Sequence, residues 1–83
     1  MSKTHSVKIW PEYFNAVCNL TKKHEIRRDD RDYQVGDLVI LREWNHTTEE
    51  FTGKEQGVEI TYVSRGFTGI EPGYVVFSFR VIP

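Results

Sequence analysis

The chain is predicted to fold as a mainly β protein: a small, five- to six-stranded β-barrel with one short α-helix covering an opening. Three observations predict it. Residues 5–9, 58–62 and 74–82 alternate apolar and polar side chains with a period of two, the mark of strands that bury one face. Only residues 10–19 carry helix punctuation and helical spacing. At 83 residues there is room for one domain (1–83) and one core. Five strands with few residues to spare close most naturally into a barrel, and the 13% aromatic content supplies large side chains to fill it.

The elements follow in order. His5, Val7 and Ile9 alternate with Ser6 and Lys8, giving a half-buried first strand. Trp10-Pro11-Glu12 starts a helix: proline suits the first turn, and an acid suits the positive end of the helix dipole. Phe14, Val17 and Cys18 stand at i, i+3 and i+4, an apolar face that would pack Cys18 inward as an inert thiol. Asn19 closes the helix in a left-handed cap. Residues 21–28 form a charged strand, and Asp29–Asp32 a polar turn. Leu38-Val39-Ile40-Leu41 is apolar at every position and reads as a central strand covered on both faces, continuing into Arg42-Glu43-Trp44. Asn45–Glu50 is a loop. The returning strand is interrupted at Gly53 and Gly57, both read as bulges, before Val58, Ile60 and Tyr62 alternate on one face. Residues 64–73, with three glycines and Pro72, form a loop. In the last strand Val75, Phe77, Phe79 and Val81 share the inner face. Trp10, Phe14, Phe77 and Phe79 are assigned to the core.

Composition excludes several classes of function. Hydrophobic content of 39% and charged content of 28% belong to a folded globular chain. A net charge of −1 argues against a generic duplex-DNA coat protein, whose affinity comes from phosphate neutralisation. One cysteine rules out an internal disulfide, and three scattered histidines (His5, His24, His46) offer no metal-ligand spacing, so no metal and no cofactor are expected. No apolar run fits a signal peptide or a membrane span, so a cytoplasmic location is expected; the two glycosylation sequons, at Asn19 and Asn45, carry no meaning there.

Charge is segregated along the chain. Lys22–Arg31 holds five of the eleven Lys and Arg residues, while residues 43–59 hold five Glu and one Lys. From Lys22 to Arg28 four cations face one anion, Glu25, so this segment is where a phosphate, carboxylate or nucleobase would bind. Arg27 offers a planar two-pronged grip and Lys22 a mobile point charge. By chemistry alone both also read as solvated strand residues paired with Glu25 or Asp29. Glu25 suits accepting from a base amino group, positioning Arg27, or, if buried, moving a proton. Trp44 and Tyr74 offer faces on which a base could stack, or are core. Arg28 to Asp32 reads as a surface turn with weak ion pairs, and Arg42 and Arg65 as extensions of the positive surface.

The run Lys22…Glu25-Ile26-Arg27, then Asp30-Arg31-Asp32-Tyr33-Gln34-Val35-Gly36-Asp37, Leu41-Arg42-Glu43-Trp44 and Pro72-Gly73-Tyr74-Val75-Val76 resembles the ASCH (activating signal cointegrator homology) family of PUA-like barrels. The likeness covers roughly residues 4–79 and is strongest to a small bacterial and phage group of unknown function. It implies a barrel with a helix beside it and a cleft between them that binds RNA or modified nucleosides. Lys22 matches the Lys and Arg27 the Arg of the family motif. Leu20 stands where the family usually has Gly, and Glu25 where the family's amidohydrolases, which act on acylated cytidine, place Thr.

The leading expectation is an RNA- or nucleotide-binding module, with Lys22, Lys23, Glu25, Arg27, Trp44 and Tyr74 as ligand-binding residues. Two alternatives stand beside it. One is a small amidohydrolase on N-acylated nucleosides, with Lys22 and Glu25 catalytic. The other is a protein-interaction module in transcriptional or translational regulation, working through the acidic segment 43–59.

Overall fold

The computed structural model describes residues 2–83. Its elements are β1 (Thr4–Ile9), α1 (Pro11–Cys18), β2 (His24–Arg28), β3 (Leu38–Asn45), β4 (Glu50–Ser64) and β5 (Tyr74–Val81). The strands form a single five-stranded sheet, ordered β1-β3-β4-β5-β2, that curls into a half-barrel. All pairings are antiparallel except β1 with β3, which run parallel with Thr4 beside Leu38 and Ile9 beside Glu43. A parallel neighbour needs a crossover, and α1 with β2 supplies it. β1 and β2 are left as the two edges.

The concave face holds the core. Val7 and Ile9, Val39 and Leu41, Val58 and Ile60, and Val75, Phe77 and Phe79 meet there, joined by Tyr33 and by Phe14 and Val17 of α1. The period-two readings of β1 and β5 therefore name the correct faces. Burying a side chain such as Phe77, which is fully enclosed, stabilises the fold by about 1.5–3 kcal/mol.

Several expectations change. In β3, Val39 and Leu41 are buried but Leu38 and Ile40 are only half-buried, because no second layer covers the convex face. Gly53 does lie in a bulge: pairing jumps from Arg42–Glu55 to Trp44–Phe51, and Gly53 takes φ +92° in the surplus segment. Gly57 does not; it stays in register opposite Ile40. A second slip falls instead at Thr61, between the Ile60–Phe79 and Tyr62–Ser78 pairs. It inverts the alternation, so Tyr62 points to solvent and Val63 packs against the core. Trp10 is 44% exposed at the helix N-cap rather than core. Cys18 is exposed as well, because the helix seats on Phe14 and Val17 and the chain turns away at that point. No described helix is long and apolar enough to cross a membrane.

Candidate functional site

The end of α1 sets the first side chain. Leu20 N–H donates to the Val17 carbonyl at 3.1 Å and Thr21 N–H to the Ala16 carbonyl at 3.0 Å, the paired bonds of a Schellman cap. The left-handed residue this cap needs is Leu20, at φ +68°, and not Asn19, whose φ is −89°. Lys22 N–H also donates to the Ala16 carbonyl, at 2.9 Å. The cap thus occupies residues 20–22, which is why the charged strand begins at His24 and not at Thr21.

Strand pairing sets the next two. Glu25 lies opposite Phe77 and Arg27 opposite Val75, both inward-facing, so the β2 pleat turns Glu25 and Arg27 to the concave side and leaves His24, Ile26 and Arg28 exposed. Glu25 is only 6% exposed. An unpaired carboxylate there would cost several kcal/mol. It is paired: Lys22 Nζ contacts Oε1, and Arg27 Nε stands 3.6 Å from Oε2. Lys22 Nζ also donates to the His24 carbonyl at 2.5 Å. The structure therefore brings Lys22, Glu25 and Arg27 together in one cluster carrying a net single positive charge.

Arg27 reaches further. Its guanidinium donates through both terminal nitrogens to the Lys8 carbonyl, at 3.3 Å from Nη1. This ties the β2 edge to the β1 edge across the open side of the half-barrel. A cavity of about 560 Å³ opens on each side of the tie. The first is lined by Trp10, Tyr13, Lys22, Glu25 and Trp44. Tyr13 lies 6.0 Å below Lys22 Nζ, and Lys8 Nζ stands 4.4 Å over the Trp44 ring. Trp10 stacks between Tyr13, at 6.2 Å between centroids, and His46, at 3.9 Å.

Trp44 thus joins the cluster's cavity, while Tyr74 lines the other one. Lys23 is exposed and lines neither. Asp29 does not pair with Arg27; it accepts two bonds from Arg65, at 2.6 and 3.1 Å, and Arg65 also donates to the Tyr33 carbonyl. The acidic hairpin is partly neutralised from outside itself: Glu55 pairs with Arg42 and Glu59 with Arg80, and Glu43 is buried, accepting from Thr52. Among the described residues no group of three or more His, Cys, Asp or Glu is placed to hold a metal.

A family model described as Domain of unknown function (DUF3850) matches residues 4–79. The chain belongs to this family. DUF3850 is thus the frame for the Lys22–Glu25–Arg27 cluster, which lies inside the matched span. A curated relative, the "Uncharacterized 12.9 kDa protein in GpA 3'region" of Escherichia phage P2, is 41% identical over 64 residues, which is 77% of this chain. The match spans 57% of that relative's length.

Three features of this DUF3850 chain escaped the sequence reading. Trp10, the extended N-cap, and Tyr13 of α1 are both exposed beside the cavity, although Trp10 stands at i−4 from Phe14 and helical spacing alone places it on the buried face. From the sequence, Lys8 reads only as the polar partner in an alternating strand. His5, expected to stand alone, bonds the buried Asp37 carboxylate at 2.8 Å and packs 4.8 Å from the Tyr33 ring. Only the fold brings positions 5 and 37 together.

Proposed function

We propose that this protein is an ASCH-type, PUA-like module that binds RNA or a nucleotide-like ligand by taking a base into the cavity beside α1. The observation that carries the reading is the Lys22–Glu25–Arg27 cluster: a buried carboxylate held between two cations at the wall of a cavity edged by Trp10, Tyr13 and Trp44. Unstacked bases are recognised by this combination, an aromatic face for stacking and fixed polar groups for the base edge. Glu25 would accept from an exocyclic amino group, and Lys22 would donate to a base carbonyl. The ASCH relation is supported by the helix-and-barrel arrangement, by the cluster's place next to α1, and by the left-handed Leu20 at the position where that family usually has Gly.

Hydrolysis of an acylated nucleoside has less support. Glu25 stands where the family's amidohydrolases place Thr, and a carboxylate does not supply that hydroxyl. Titration with cytidine, adenosine, guanosine and uridine, followed by amide chemical shifts, tests the proposal. Shifts clustered at Tyr13, Lys22–Arg27 and Trp44, and lost in Lys22→Ala, are expected. Silence of these residues at millimolar nucleoside would refute it.

A further inference from the structure

The cavity on the far side of Arg27 has a different character. Lys8, Arg27, Arg28, Arg31 and Arg42 line it against one acid, Asp30. Some of that charge is answered: Arg27 by Glu25, Arg42 by Glu55 at 3.0 Å, and Arg31 by Asp30 at 3.9 Å. Lys8 and Arg28 have no carboxylate within 4 Å among the described residues, so five cations meet three anions and the excess stays positive. Phe51 supplies an aromatic floor, with the Arg42 guanidinium 4.1 Å and Lys8 Nζ 5.8 Å from its centroid. The two cavities share Lys8, Ile26 and Arg27 as a common wall and so adjoin at the seam between β1 and β2. Of the eight large apolar side chains exposed among the described residues, Trp10, Tyr13, Ile26 and Phe51 line this seam.

We infer that the seam is a track for a single-stranded oligonucleotide, with a base in the aromatic cavity and the adjoining phosphodiester in the arginine-lined cavity beyond Arg27. The inference rests on the base-binding reading above and extends it to the length and charge of the ligand. A concentrated cation excess is what a polyanion neutralises, and aromatic side chains between the cations suit its bases. A lone nucleoside would leave the second cavity unused. Arg28 and Arg31 are exposed and take no part in the core, so they can be changed without disturbing the fold.

The test compares three probes: cytidine, a short abasic deoxyribose-phosphate oligomer, and single-stranded tetranucleotides of ribose and deoxyribose. Each is titrated against the wild type and Arg28→Ala/Arg31→Ala, with amide and arginine Nε shifts recorded over a range of salt. The tetranucleotide is expected to bind at least tenfold tighter than cytidine in 50 mM salt. The double variant should lose that advantage and flatten the salt slope by about 0.7 for each phosphate contact removed, while cytidine affinity stays unchanged. If cytidine shifts Lys22–Arg27 but the tetranucleotide binds no tighter and without salt dependence, the track is refuted and the base reading survives. If the abasic oligomer shifts Arg28, Arg31 and Arg42 while cytidine shifts nothing, the base reading is refuted and the phosphate cavity stands. Silence toward all probes overturns both.

Discussion

Replacing Arg27 with alanine removes the only side chain among the described residues that hydrogen-bonds between the two sheet edges, so it tests how the half-barrel is held closed. Two interactions vanish. One is the forked donation to the Lys8 carbonyl, and the other is the Arg27–Glu25 ion pair at 3.6 Å. A hydrogen bond from a charged donor contributes about 1.5–3 kcal/mol. Breaking a buried ion pair can cost about 3–5 kcal/mol when the remaining charge is left alone, but Lys22 still neutralises Glu25, so little of that is added. The expected loss is about 2 kcal/mol. In a domain of this size that lowers Tm by roughly 8–16 °C. Arg27→Lys keeps the charge but cannot fork between the Lys8 carbonyl and Glu25, so it should lose about half as much. Urea denaturation gives the stability, and the Ile9 amide nitrogen shift reports directly on the Lys8 carbonyl. A variant as stable as the wild type, with an unmoved Ile9 shift, would refute the view that Arg27 closes the seam.

Other expectations follow from particular geometries. Burial of Asp37 opposes its ionisation, but donation from the Lys3 amide, the His5 ring and the Gln34 amide outweighs this and holds its carboxyl below the ordinary range. A group depressed in the folded state contributes stability above its unfolded pKa and loses it as pH falls through the folded value. Asp37→Asn should therefore cost about 2 kcal/mol at pH 7, and the gap from wild type should narrow below the ordinary carboxylate range; thermal melts showing a gap constant down to pH 3 would contradict this. Leu20→Gly should stabilise the protein by about 1 kcal/mol, because Leu20 is 58% exposed and left-handed, so glycine relieves the backbone at little loss of packing; a lower Tm would count against the cap. Gly53→Ala should cost about 1–2 kcal/mol through its positive φ alone, whereas Gly57→Ala, with only Ile40 Cδ1 nearby at 3.8 Å, should stay within about 0.5 kcal/mol. Equal effects in urea titrations would remove the distinction between bulge and in-register glycine.

Much of the fold was legible because strands write their faces with a period of two. Val75, Phe77 and Phe79 announce one face of β5, and His5, Val7 and Ile9 one face of β1, without any tertiary knowledge. The reading failed where a backbone irregularity breaks the period. Thr61 has nothing in its side chain to mark a bulge, yet it exchanges the roles of Tyr62 and Val63. Helical spacing misplaced Cys18 because an eight-residue helix need seat only two side chains. Residue preference assigns the left-handed position to Asn19, while the register of the hydrogen bonds gives it to Leu20. In the site, Lys22, Glu25 and Arg27 were legible as a local charge pattern. Their alliance with Trp10, Tyr13 and Lys8 was not, since it depends on the parallel crossover that lays β1 and β2 on either side of one gap. Size alone assigns Trp10 to the core, although an N-cap at a cavity rim leaves a large aromatic open on one side.

The most direct measurement is a set of intermolecular NOEs between a bound single-stranded tetranucleotide and the aromatic side chains of the protein. Base protons in contact with Trp10, Tyr13 or Trp44, and ribose protons in contact with Phe51 across the seam, are the result expected. NOEs confined to the exposed acidic hairpin tip around Glu49 and Glu50, or to the convex face around Tyr62, would place the ligand elsewhere and contradict it.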